Sequence, residues 1–161
     1  MVEYWLDSDV LIQAKNGPYG FDIVPGFWTF IDEMSDLGKV RASSLVYDEL
    51  VDGGDELAEW VRSRQERLFV EPDQGTQVAF TPIAEYVLSA YEPAESSRFL
   101  DGADPWSIAH AVSAGGVVVT REKLVVPESK KVKIPNVAAE FGVVTTNEYS
   151  MLRELGARFT Q

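Results

Sequence analysis

The first apolar run of the chain ends in acid: Val2-Glu3-Tyr4-Trp5-Leu6 leads directly into Asp7-Ser8-Asp9. A short apolar run that stops at a carboxylate reads as a buried parallel strand whose C-terminal end opens onto a site. Asp9, two residues on, doubles the local negative charge. Like charges at close range cost free energy, so the pair points to a bound cation or a proton transfer rather than to stability.

The rest of the chain alternates strand and helix. A short helix runs from Asp9 to about Ala14, with Asp9 as a candidate cap, and Asn16-Gly17-Pro18 turns the chain. Pro25 opens a helix through about Leu37, with an apolar stripe at Phe27, Phe30, Ile31, Met34 and Leu37. Val40–Ser43 is a strand, and Ser43 or Ser44 caps a helix to Leu50. Asp55 caps a helix to about Leu68, and Phe69-Val70 is a short strand. A helix over 76–91 contains Pro82, which limits or bends it. Asp104-Pro105-Trp106 reads as a cap and first turn, and Gly115-Gly116 ends that helix. Val117-Val118-Val119 is the clearest buried strand, closing at Thr120-Arg121-Glu122. Pro135 starts a short helix ending near Gly142, Val143-Val144-Thr145 is the last strand, and Asn147 caps a final helix. This alternation predicts an α/β fold: a central parallel sheet with helices on both faces, in one domain over 1–161.

Composition narrows the chemistry. The 161 residues contain no cysteine, which removes disulfides, thiolate metal sites and cysteine nucleophiles and suits a reducing cytoplasm. No apolar run approaches the roughly 18 residues of a membrane span, and the N-terminus has no basic leader pattern. The net charge of −12 argues against broad coating of nucleic acid. The charge is uneven, however. Residues 121–133 carry Arg121, Lys123, Lys130, Lys131 and Lys133 against Glu122 and Glu128. This stretch is either a solvated loop or a local strip for a polyanion.

Asp7, Asp9, Glu49, Asp104 and Glu122 all fall where a doubly wound sheet can bring them to one edge of its central strands. Oxygen ligands without histidine or cysteine suit a hard divalent cation, Mg2+ or Mn2+. Such an ion activates water and binds phosphate oxygens. Bland readings stand beside each acid. Asp104 and Asp9 could be caps alone, any of Asp48, Glu49 and Asp52 could be merely solvent-exposed, and Asp48 is the alternative to Glu49. His110, the one histidine, sits among small and apolar residues and reads as packing. The four tryptophans read as core, with base stacking by Trp28 as a weaker option.

Four segments in order resemble the PIN-domain superfamily, metal-dependent ribonucleases that include VapC-type toxins. They are Tyr4–Ile12, Ser43–Leu50, Ala103–Ala111 and Gly116–Glu122. The ending, Lys133–Val137 with Phe141-Gly142-Val143, is similar to a little-characterised family of standalone bacterial PIN-like proteins. The resemblance implies a three-layer α/β/α PIN-like fold and a metal-binding triad of Asp7, Glu49 and Asp104, with Glu122 as a fourth acid. It implies that Ser8 and Thr120 orient water or phosphate, and that Arg121, Lys123, Lys130, Lys131 and Lys133 contact RNA. It allows a protein antitoxin and a homodimer as partners. Asp9 stands where Asn is common, and Glu122 is longer than the usual Asp. Two alternatives stay open. Asp7-Ser8-Asp9-Val10 also fits the nucleophile motif of haloacid-dehalogenase-type phosphatases. An inactive PIN-like binding module is the other, though a dead site has no reason to keep repelling carboxylates.

Overall fold

The computed structural model describes residues 2–160. The sheet consists of β1 (Tyr4–Leu6), β2 (Val40–Ser43), β3 (Phe69–Val70), β4 (Val117–Val119) and β5 (Thr145–Thr146). All four pairings are parallel, and the spatial order is β3-β2-β1-β4-β5. Central β1 pairs with β2 and β4, so Trp5 lies opposite both Arg41 and Val118, and Leu6 opposite both Ala42 and Val119. Successive side chains alternate across the sheet. Tyr4, Leu6, Val40, Ala42 and Val119 face one core, while Trp5 and Val118 face the other.

Helices cover both cores. The first is packed by α1 (Ser8–Asn16), α2 (Pro25–Asp36), α3 (Ser44–Leu50) and α4 (Glu56–Arg62). The second is packed by α5 (Gln74–Ala90), α6 (Pro93–Asp101), α7 (Asp104–Ala114) and α8 (Ile134–Glu140). The last helix, α9 (Glu148–Glu154), returns to the first core through Met151 and Leu152. The result is the expected three-layer α/β/α arrangement. Its apolar interior includes the fully buried Leu6, Phe27, Ile31, Ile83 and Ile108, and truncating a side chain of this kind to Ala costs about 2–5 kcal/mol. The four tryptophans are packing residues: Trp28 is buried against Phe21, Phe27 and Trp60, and Trp106 stacks on Phe80 at 3.9 Å.

Several local expectations need correction. Asp9 does not cap the first helix. The cap is Asp7, whose Oδ1 accepts from the Val10 N–H at 2.9 Å. Asp104 is not a cap either: it lies within the first turn of α7, behind Ala103, whose helical backbone and apolar side chain provide no cap bond. The helix begun by Asp55 stops at Arg62 rather than near Leu68, because the chain turns there to bury Leu68 and enter β3. Arg64 anchors that turn through Asp32 at 2.7 and 2.9 Å and lies over the Trp60 ring. Pro82 does not limit α5, which continues through it. The last strand begins two residues late, at Thr145, because Val143 still closes the end of α8 by donating to the Ala138 carbonyl. Gly142, at φ +67°, makes that turn.

Helix α6 was not expected from its polar sequence. Its anchor is Ser96, which is fully buried and donates to the carbonyls of Val87 and Tyr91 at the end of α5. Together with Phe99 it fastens α6 to the second core. The helix then ends at Asp101, three residues before Asp104, which sets the entry to α7.

Candidate active site

The two neighbours of β1 come from different parts of the chain, β2 directly after it and β4 more than a hundred residues later. The gap between β1 and β4 at their C-terminal ends is therefore the topological switch point, where open α/β sheets place ligands. Asp7 leaves β1 and Thr120 leaves β4 at this gap, and the Thr120 hydroxyl donates to Asp7 Oδ2 at 2.7 Å. With Val10 on Oδ1, both oxygens of this buried carboxyl are fixed.

Glu49 joins three elements. Its Oε1 accepts from the Ser8 hydroxyl at 2.5 Å, and its Oε2 accepts from the Ala103 N–H at 3.4 Å. Ser8 opens α1 and Ala103 precedes α7, so Glu49 ties α3 to the ends of both. Asp48 instead lines a separate cleft with Tyr47, Gln65, Glu66 and Phe69. Asp104 makes no side-chain hydrogen bond among the described residues. It faces a cleft of about 280 Å³ with Glu122, Arg98, Lys131 and Lys133. Glu122 holds the wall of this cleft: its Oε1 accepts from the Ile134 N–H at 2.9 Å and caps α8, which lacks a side-chain cap of its own. Asp9 is half-buried in the first turn of α1, and its charge is felt at Asp104.

The electrostatics match this crowding. Burial pushes the Asp7 carboxyl up to about 7, with the charges of Asp104 and Glu122 adding to the rise and the Thr120 and Val10 hydrogen bonds opposing it. Burial also raises Asp104 to about 7, reinforced by Glu122, Glu49 and Asp9 and opposed by Lys133. The site is thus short of positive charge. Its donors are all carboxylate and hydroxyl oxygens, which suits Mg2+ or Mn2+ in kind. In spacing the fit is looser: among the described residues, no three acidic or histidine side chains are close enough together to hold one ion.

The basic stretch divides. Lys131 and Lys133 line the cleft with Asp104, Lys123 lines a neighbouring cleft, and Lys130 lines neither. Arg121 is not free. Its Nε lies 3.2 Å from Oε1 of Glu148, a buried carboxylate whose place in the first turn of α9 gives no local sign of a partner. The available signal was its position: Glu148 opens the helix after the last strand, one residue beyond the cap Asn147. His110 is buried, stacks on Trp5 with ring centroids 4.3 Å apart, and meets the Ser43 hydroxyl at 3.1 Å. Burial lowers it to about 4, which keeps it neutral and suits packing. The phosphatase alternative needed its last acidic pair at a strand end. Asp101 instead ends α6 and Asp104 begins α7, so that reading falls.

Comparison with solved structures agrees with this architecture. The chain is similar to a chain of VapBC2 from Rickettsia felis, solved bound to a DNA fragment from their promoter, with a TM-score of 0.52 and 14% identity over 91% of this chain and 98% of that one. It is also similar to a chain of FitAB bound to an IR36 DNA fragment, with a TM-score of 0.51 and 15% identity over 89% and 94%. The chain has the fold of a VapC-like PIN domain. Residues 4–159 match the family described as Domain of unknown function (DUF4411), and the chain belongs to that family. No curated protein matches it in sequence.

Proposed function

We propose that this chain is a divalent-metal-dependent endoribonuclease, acting in the cytoplasm as the toxin of a toxin–antitoxin pair. The observation that carries the reading is the gathering of Asp7, Glu49, Asp104 and Glu122 at the C-terminal ends of β1 and β4, with Asp7 and Asp104 largely buried and each raised by that burial and by neighbouring carboxylates. Like charges are brought together at this cost where a function needs them. The similarity to chains of VapBC2 and FitAB supports a protein antitoxin as partner, and a second copy of the chain is a further candidate. Among the described residues, no helix is long and apolar enough to cross a membrane.

In this reading Asp7, Glu49 and Asp104 would have to draw closer together to hold Mg2+ or Mn2+, with Glu122 and Asp9 as additional carboxylates. A divalent ion bound there would supply positive charge for phosphodiester cleavage and would lower the pKa of water. Thr120 keeps Asp7 in one orientation, and Ser8 does the same for Glu49. Lys131 and Lys133 receive the RNA phosphates where they line the cleft with Asp104. Purified protein should cleave single-stranded RNA in Mn2+ and stop in excess EDTA. Cleavage that persists in EDTA would sink the metal mechanism, and no cleavage with any divalent ion would return the inactive-module reading.

The lysines are separable. Lys131→Ala with Lys133→Ala should weaken RNA binding about 5- to 10-fold at low salt and flatten its salt dependence by about 0.7 per lost phosphate contact. Lys130→Ala should do much less, since Lys130 lies outside the cleft. Equal effects from all three would mean a diffuse field rather than a path for the strand.

A further inference from the structure

Beside the acidic cluster, a second cleft of about 480 Å³ opens at the ends of β4 and β5, lined by Thr120, Arg121, Lys123, Thr145, Glu148 and Tyr149. Its volume lies in the range of roughly 300–1,000 Å³ typical of small-molecule sites. The two clefts share Glu122, and Thr120 in this one is bonded to Asp7, so the second cleft adjoins the acidic cluster.

Glu148 is the unusual group. It is 2% exposed, and its Oε2 has no hydrogen-bond partner among the described residues. A buried, half-satisfied carboxylate is costly for folding. Its other oxygen holds the Nε of Arg121, and among the described residues Glu148 is the one carboxylate within ion-pair distance of that arginine. The Arg121 side chain keeps 31% of its surface exposed and lines the cleft. The arrangement anchors the guanidinium at its Nε edge, and a guanidinium so held suits a phosphate. Lys123 adds a second cation, Thr145 and Thr146 add hydroxyl groups, and Tyr149, 39% exposed, adds an aromatic face. Phosphate, ribose and base would each find a matching group here.

We propose that this cleft holds the RNA nucleotide next to the scissile phosphate, with Arg121 and Lys123 on its backbone phosphate and Glu148 as the positioning residue for Arg121. The proposal rests on the ribonuclease reading, and its test separates the two. Glu148→Gln keeps the shape and removes the charge that orients Arg121. RNA cleavage by this variant should show KM raised about 5- to 20-fold with kcat within about twofold. Its melting temperature should fall by no more than a few degrees, because the Gln oxygen can still accept from Arg121, which keeps access to solvent. Arg121→Ala should match it in KM and, in EDTA, lower the salt slope of binding to a fluorescent single-stranded RNA by about 0.7. Arg62→Ala, on an arginine bonded to the Val51 carbonyl away from both clefts, serves as the control. If wild type cleaves RNA and both variants keep its KM and salt slope, the subsite is overturned and the nuclease stands. If wild type neither binds nor cleaves RNA, both readings fall. A lowered melting temperature with KM unchanged would make the Arg121–Glu148 pair structural only and overturn the proposal.

Discussion

Replacing Asp7 by Asn is expected to lower RNA cleavage in Mg2+ or Mn2+ by about a thousandfold or more, equivalent to about 4 kcal/mol of transition-state stabilisation, while the fold persists. Asn keeps an oxygen to accept from Val10, so α1 retains its cap. The amide can donate to the Thr120 hydroxyl, reversing the present bond. What disappears is the negative charge at the switch point. Because that charge is buried, the metal-free variant should melt no lower than wild type near pH 8, where wild-type Asp7 is ionised. Loss of activity with an intact melting curve separates a site residue from a structural one. Wild-type-like cleavage by the purified variant would remove Asp7 from the site.

The second large effect is a dependence of stability on pH that metal offsets. Asp7 and Asp104 have folded values of about 7, above the ordinary carboxyl value of 3.8. The folded state therefore binds protons that the unfolded state has released. The stabilisation is complete below about 4 and is lost as pH rises through about 7. His110 works in the opposite sense. Its folded value of about 4 lies below the ordinary 6.5, so it costs stability as pH falls below 6.5. Between pH 6.5 and 8 the carboxyls dominate, with His110 offsetting about 0.4 kcal/mol at pH 6.5. In EDTA, moving from pH 8 to 6.5 should add about 1–2 kcal/mol, or roughly 3–6 °C in melting temperature.

A divalent ion competes with these protons, so the rise caused by Mn2+ should be larger at pH 8 than at pH 6.5. With a dissociation constant of about 1 mM, about 10 mM ion would add about 1.4 kcal/mol by mass action. Glu49→Gln should leave the metal-free melting temperature unchanged or raise it, shrink the Mn2+ rise and abolish cleavage. A flat melting temperature in EDTA across this window would contradict the raised carboxyls. An equal Mn2+ rise in Glu49→Gln would exclude Glu49 from the site. Asp48 would not be an obvious substitute, because it faces another cleft.

Much of this molecule was readable in local sequence. Val117-Val118-Val119 bounded by Gly116 and Thr120 has few options other than a buried strand, and it is β4. Asn147 caps the last helix as its residue type predicts, and Gly156 ends it with φ +74°. The resemblance carried the fold further, because its four segments mark the ends of β1, β2 and β4 and the start of α7, the places where a parallel sheet gathers its loops. Helix α6 was not readable in the same way. Its stability comes from Ser96 reaching two carbonyls of a preceding helix end, and a polar residue signals nothing until those carbonyls are nearby.

The acids divide along the same line. That Asp7, Glu49, Asp104 and Glu122 are carboxylates at element ends belongs to the sequence, since it depends on residue type and short-range periodicity. What each carboxylate does was decided by tertiary structure. Asp7 became the cap and Asp104 did not, because Ala103 is already helical. Glu49 was separated from Asp48 by Ser8 and Ala103, which lie 41 and 54 residues away along the chain. Glu122 was turned to the start of α8, and Arg121 was claimed by Glu148. Hydrogen bonds and charge pairs act over a few ångströms of space, whereas sequence patterns report a few residues of chain. Only the folding of β1 between β2 and β4 brings those two distances together.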